Sequence, residues 1–246
     1  MPGTLSRRLF FTLTGGALFA PSFILANDEV PSVLDHILLG CNHLESGIDF
    51  VEQHTGMRAA FGGVHPGRGT QNALLSLGER HYLEIIAPDP KQKNSDVRPV
   101  VNKSAAKLLA QLESLTAPHL VGWAAHPGNL AAFARKLGEA GVAFTGPTPG
   151  SRKRPDGRLL QWQTLNMKDD HSRLLPFFIE WSPDSPHPAS DAPSGCRLVR
   201  FELVTPNPDE LKTTLALLSL DVPVAKGDPQ LRNSVIGPKG QLDLGS

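Results

Sequence analysis

Cysteine is almost missing: Cys41 and Cys196 are the two in 246 residues. That excludes a disulfide-stapled scaffold and a cysteine-rich zinc module. Net charge is missing as well, with 24 Lys and Arg against 24 Asp and Glu. No global basic field exists to recruit nucleic acid, and no acidic tail is present. At 20% charged and 40% hydrophobic residues, neither a disordered chain nor a multi-span membrane protein fits. Tyrosine occurs once, whereas nine histidines are mildly many and 23 glycines with 22 prolines imply many turns. The length suits one large domain or two small ones around a sizeable core.

Residues 1–26 read as an export signal. Arg7-Arg8 precedes an apolar stretch, Leu9 to Ala20, that is too short and too interrupted by Gly15-Gly16 to span a bilayer. Ser6-Arg7-Arg8-Leu9-Phe10-Phe11 looks like a twin-arginine signal, and Ile24-Leu25-Ala26 gives a cleavage site before Asn27. The expected partner is the twin-arginine export machinery, and the expected location is periplasmic or secreted, with no membrane span after cleavage. Removing the signal takes away two arginines and no acid, leaving a net charge of −2. In an oxidising compartment Cys41 and Cys196 either pair or stay as buried thiols, and burial is the commoner state.

The mature chain repeats one grammar. An apolar run Val33–Cys41 leads to a helical stripe of Leu44, Ile48 and Val51 closed by Gly56, then to strands near Met57–Phe61, Ala73–Leu77 and Tyr82–Ala87. A second run, His119–Ala125, leads to a stripe of Leu130, Phe133 and Leu137, then to strands at Val142–Thr145, Leu159–Leu165 and Leu175–Trp181. Both are β-α-β-β-β, with Gly/Pro-rich loops expected at 62–69 and 146–157. The divisions are a first module at 27–101, a linker helix at 102–116, a second module at 117–183, and a linker with a partial third module at 184–246. The third has one strand (Val199–Val204), a helix opened by Asn207-Pro208, and only short strands after it, an abbreviated βαββ.

Internal repetition also points to chemistry. His36 and His119 each stand fourteen residues before a helix phenylalanine, Phe50 and Phe133. The last strand of each module, Tyr82-Leu83-Glu84-Ile85-Ile86 and Phe178-Ile179-Glu180-Trp181, carries one Glu among apolar residues. A carboxylate there is costly unless it is paired, hydrogen-bonded or bound to metal. Strand alternation puts Tyr82, Glu84 and Ile86 on one face, and His36 with Leu38 on one face. Two His and two Glu converge if the modules pair about a pseudo-twofold axis. The bland alternative for each is a satisfied core or strand-end residue.

Val33-Leu34-Asp35-His36-Ile37-Leu38-Leu39 with Tyr82-Leu83-Glu84-Ile85 resembles the vicinal oxygen chelate superfamily, the glyoxalase, bleomycin-resistance and extradiol-dioxygenase group. His65-Pro66-Gly67-Arg68-Gly69-Thr70-Gln71-Asn72, Arg154-Pro155-Asp156-Gly157 and Pro176-Phe177-Phe178-Ile179-Glu180-Trp181 look more narrowly like its glyoxalase-like domain family. The resemblance implies an α+β fold of paired βαβββ modules, with curved mixed sheets around a cleft. It implies a divalent metal (Fe, Ni, Mn or Zn) held by His36, Glu84, His119 and Glu180, with Glu180 or Glu84 as base. Such a metal chelates vicinal oxygens and acidifies a neighbouring C–H.

His65, Gly67, Thr70 and Asn72 form a second polar cluster, read either as substrate contacts or as a plain turn. Arg152, Lys153, Arg154 and Arg158 make a basic loop, read as a solvated hairpin end or as an anionic-substrate clamp at the cleft mouth, with Arg154 as its substrate-binding candidate. Trp123 and Trp162 either line the cavity or pack the core. The expectation is an exported, metal-dependent lyase or isomerase acting on a small oxygenated molecule. Its competitors are an Fe(II) ring-cleaving dioxygenase with His65 as acid, and a metal-free binding module.

Overall fold

The computed structural model describes residues 30–92 and 103–246. The expected export signal, 1–26, and the first residue of the expected linker helix lie outside them. The first module runs β1 (Leu34–Gly40), α1 (Leu44–Thr55), β2 (Ala60–His65), β3 (Thr70–Ser76) and β4 (Tyr82–Pro88). After α2 (Lys103–Ser114), the second runs β5 (His119–Ala125), α3 (Leu130–Glu139), β6 (Phe144–Lys153), β7 (Leu159–Met167) and β8 (Phe177–Trp181). The fold is the expected α+β pairing of βαβββ modules.

Local chemistry fixes the helices. α1 buries Ile48 and Val51 and stops at Gly56, whose φ of 78° closes the last turn with an N–H to the Glu52 carbonyl. α3 opens on Asn129, which accepts the Ala132 N–H at 2.7 Å. All eight strands join one curled sheet in the order β2-β3-β4-β1-β5-β8-β7-β6. The modules meet at the antiparallel pair β1–β5, and β4 and β8 run parallel to β1 and β5. One face packs on α1 and α3 through Ile37, Leu39, Ile85, Trp123 and Phe178. The other face is concave, and α2 lies across it, with Leu112 fully buried against Leu38, Ile86 and Val121.

Two expected loops are strand instead. β6 runs through Gly146, Pro147 and Pro149, and a register irregularity between Thr145 and Thr148 absorbs the Gly-Pro pair. β6 is an edge strand, where a missing N–H costs no ladder bond. β2 starts at Ala60 rather than Met57 and continues through Gly62-Gly63 to His65. The third segment has one strand more than βαββ: β9 (Arg197–Thr205), α4 (Pro208–Leu217), β10 (Val224–Lys226), β11 (Gln230–Ile236) and β12 (Gln241–Gly245). Its separate sheet, ordered β10-β9-β11-β12, packs on the outer face, where the Phe201 and Trp123 ring centroids are 5.0 Å apart. Three-residue β10 is too short to show an alternating pattern. Cys41 and Cys196 are both buried free thiols. Among the described residues no helix is long and apolar enough to cross a membrane.

Candidate functional site

The concave face encloses a cavity of about 580 Å³ lined by both modules and by Ala105 and Leu108 of α2. Its second-module walls combine an apolar patch of Trp162, Phe177, Ile179 and Trp181 with Thr145, Thr148, Thr164 and Asn166. Its first-module floor is polar: alternation brings His36 from β1, Thr70 and Asn72 from β3, and Tyr82 and Glu84 from β4 to one side. His65 ends β2, and Arg68 follows in the turn to β3. Arg152 enters from β6, buried to 4% exposure.

These groups form one chain. Arg152 Nη1 donates to Asn72 Oδ1 at 3.1 Å, and Asn72 Nδ2 donates to Glu84 Oε1 at 2.6 Å. Glu84 Oε2 lies 3.4 Å from His36 Nε2, and His36 Nδ1 meets Asp35 Oδ1 at 2.6 Å. The other Asp35 oxygen accepts from Trp181 Nε1 and faces His187 Nε2, each at 3.2 Å. Tyr82 stacks on His36, with centroids 4.4 Å apart. His65 Nε2 sits 3.7 Å from Glu84 Oε1 and 3.4 Å from Asn72 Nδ2, while its Nδ1 contacts Thr70 Oγ1 at 2.9 Å. Because Asn72 offers an N–H to Nε2, the network assigns the His65 proton to Nδ1 and leaves Nε2 as the acceptor.

The two histidines titrate in opposite directions. Burial pushes His36 down, but its bonds to Asp35 and Glu84 outweigh that and raise it to about 9. His36 is therefore an imidazolium at neutral pH. Burial lowers His65, Glu84 partly offsets this, and Arg152 and Arg68 lower it further, to about 4. Glu84 is pushed up by burial but held at about 2 by His36, His65 and Asn72. Burial likewise raises Asp35, yet bonds to His187 and His36 win and lower it well below the carboxylate range.

Of the expected site residues, His36, His65, Thr70, Asn72, Glu84 and Trp162 reach the cavity. Five do not. His119 pairs with Gly40 at the far end of β5, is exposed, and lines a separate small pocket beside Pro229 and Gln230. Glu180 faces the helical side and accepts the Leu130 N–H at 3.1 Å, capping the start of α3 where the helix dipole favours an anion. Trp123 is buried on the outer face, bonded to the Leu174 carbonyl. Gly67 forms the exposed β2–β3 turn with φ 71°. Arg154 is held by Asp191 and Asp156.

Asp35, Arg68, Tyr82, Trp181 and His187 were not legible in the sequence as site residues. Asp35 is the odd residue at a register irregularity between Leu34 and His36, a bulge that strict alternation does not reveal. His187 lies in the Pro/Ser-rich linker, with no local signal at all. Arg152 was legible only as a member of the basic loop, and Arg68 only as part of the glycine-flanked turn.

The expected divalent metal site is not assembled. Two of its four ligands point elsewhere, and the second module offers the cavity only Thr, Asn, Arg and apolar side chains. Among the described residues, no three His, Cys, Asp or Glu side chains are grouped to share an ion. A cation beside Glu84 would also meet Arg68 and Arg152. The residues present do not fit a divalent metal.

A sequence profile of the glyoxalase-like domain matches residues 34–218. The crystal structure of a hypothetical protein from Staphylococcus aureus superposes with a TM-score of 0.59 at 17% identity, covering 86% of this chain and 84% of that one. This likeness shows the fold alone. Methylmalonyl-CoA epimerase from Mycobacterium tuberculosis gives a TM-score of 0.42 at 21% identity, covering 65% of this chain and 93% of its own. A Streptomyces coelicolor methylmalonyl-CoA epimerase variant in complex with 2-nitronate-propionyl-CoA gives 0.42 at 19%, covering 61% and 97%. At those scores neither bears on the site. No curated protein matches the chain.

Proposed function

The chain belongs to the glyoxalase-like domain family, and from that premise we propose that it is an exported enzyme of lyase or isomerase type. It moves a proton at carbon on a small oxygenated molecule bound between its modules. One observation carries this reading: a neutral imidazole acceptor, His65 Nε2, stands beside two guanidinium groups in a cavity that also offers an aromatic surface.

In the proposed reaction His65 Nε2 takes a proton from the carbon next to a substrate carbonyl. The C–H electron pair moves into that carbonyl, and a guanidinium of Arg68 or Arg152 meets the developing oxyanion. Return of the proton to the other face, or to the neighbouring carbon, gives the isomer. Glu84 stays ionised, keeping His36 protonated and holding Asn72 in line with Arg152. No step uses a metal.

The test is proton NMR in heavy water with the mature protein and phenylpyruvate, mandelate or mandelate methyl ester as probes. Exchange or conversion above the uncatalysed rate, reduced about 10²–10⁴-fold in His65→Gln, supports the reading. Binding of the probes without any exchange or conversion overturns it in favour of a metal-free binding module. The depressed basicity of both His65 and Glu84 is the observation that favours that second reading.

A further inference from the structure

Arginines on this chain are partnered in an inverted way. Exposed Arg158 and part-exposed Arg154 share Asp156 and Asp191. Arg152, far more deeply buried, has no carboxylate within ion-pair distance among the described residues, and neither has Arg68. Arg152 spends one N–H on the neutral amide of Asn72. Glu84, the carboxylate that lines the cavity, is matched by the His36 imidazolium, and Asp35 behind it is shared by His36 and His187. Among the described residues Asp35 and Glu84 stand against His36, Arg68 and Arg152, so one positive charge is left uncompensated at the cavity, an arrangement that is costly unless a ligand supplies the anion.

The backbone is shaped to hold Arg152 there. A Cβ on Gly62 would lie 2.6 Å from Arg152 Nη1, and one on Gly63 would lie 3.1 Å from Arg152 Cδ. Two successive glycines on β2 thus leave the slot the side chain fills. On β7 and β8, Trp162 and Trp181, with ring centroids 5.5 Å apart, join Phe177 in an aromatic wall. The volume of about 580 Å³ suits a compact organic molecule rather than a bare inorganic ion.

We infer that the ligand of this cavity is a small organic carboxylic acid with an aromatic or similarly flat apolar body. Its carboxylate is held by Arg68 and Arg152, and its body lies against Trp162, Trp181 and Phe177. This rests on the proposed use of the same cavity, and names its substrate class. A planar carboxylate matches the fork of a guanidinium. A dianionic phosphate suits the site less, because Glu84 shares the space and repels the second charge. The bound acid would also offset the two cations that hold His65 down, restoring basicity to the imidazole as the substrate arrives.

The experiment is calorimetric and tryptophan-fluorescence titration of the mature protein with phenylpyruvate, mandelate and benzoylformate, each against its methyl ester. The acids are expected to bind at least about 10-fold more tightly than the esters, one charge-assisted bond being worth roughly that factor. Arg152→Gln should erase the difference while leaving ester binding intact. Arg68→Gln, at a less buried position, provides the same readout if Arg152→Gln does not fold. Equal affinity for acid and ester, no acid binding, or tighter binding of phenyl phosphate would each overturn the inference. Acid binding without solvent exchange or conversion leaves the inference standing and ends the lyase or isomerase reading. Ester conversion with no acid preference does the reverse.

Discussion

His36 and His65 both face Glu84, yet one gains a proton and the other sheds it, because their second nitrogens differ. His36 Nδ1 rests on the Asp35 carboxylate, whereas His65 Nδ1 rests on a hydroxyl and its ring faces two cations. Stability should therefore form a dome in pH. His36, raised from 6.5 to about 9, contributes fully below pH 6.5 and loses that contribution as pH rises toward 9. His65, lowered from 6.5 to about 4, contributes fully above pH 6.5 and loses it as pH falls toward 4. Glu84, lowered from 4.5 to about 2, stays ionised across both limbs and weakens the fold only below pH 4.5. Each histidine adds a slope of up to about 1.4 kcal/mol per pH unit. Burial also lowers His81 and His126, which add to the acid limb. Urea unfolding between pH 4 and 9 should show the maximum near pH 6.5. His65→Gln should flatten the acid limb without removing it, and an unchanged acid slope would contradict the assignment. At this scale the sequence made His36 and Glu84 legible because one local rule, alternation, sets their face, whereas Asn72 entered only as a polar member of the glycine-rich stretch. It misplaced Glu180 because β8 is apolar on both faces, so nothing local says that the start of α3 takes the carboxylate.

Among the elements, closure of β2 against β6 decides the cavity. Gly62 and Gly67 both lie in the glycine-rich stretch, but they do different work. A Cβ at Gly62 would fall 2.5 Å from Asn72 Oδ1 and 2.6 Å from Arg152 Nη1, prising apart the bond that crosses the modules. Gly62→Ala should keep the fold and weaken acid binding by about 10-fold, seen in the tryptophan titration. Gly67 has nothing within 4 Å of a Cβ but a φ of 71°. Gly67→Ala should cost about 1 kcal/mol in urea unfolding and leave affinity unchanged. Equal effects on binding would show that the turn, not the strand, shapes the site. The elements that periodicity revealed were those with a buried face: β1, β4, β5 and the stripes of α1 and α3. β6 escaped it because an exposed edge strand can hold Gly and Pro, which read as loop. Aligning the modules on helix phenylalanines equated His119 with His36, but Phe50 is the seventh residue of α1 and Phe133 the fourth of α3, so His36 falls third in β1 and His119 first in β5. The antiparallel pairing places Ala124, not His119, opposite His36.

Taken whole, the molecule cannot assemble its site piecemeal. Asn72 and Arg152 are eighty residues apart, and β1 needs both β4 and β5 as neighbours before the cavity exists. No disulfide is part of that assembly, since Cys41 and Cys196 are buried free thiols, and burial raises Cys41 to about 11. The fold can therefore be completed in a reducing compartment and carried across a membrane intact, the mode of transport that a twin-arginine signal at Arg7-Arg8 would serve. A chain exported unfolded would gain nothing from that compartment. We expect cell fractionation to place the chain in the periplasm with Asn27 as its first residue. The paired change Arg7→Lys and Arg8→Lys should leave uncleaved, folded precursor in the cytoplasm. That precursor should bind the aromatic acids as tightly as the exported form, because the described residues that line the cavity all follow the signal. Export of the lysine pair at the wild-type level would assign the segment to the general secretory route and remove the argument for folding before transport.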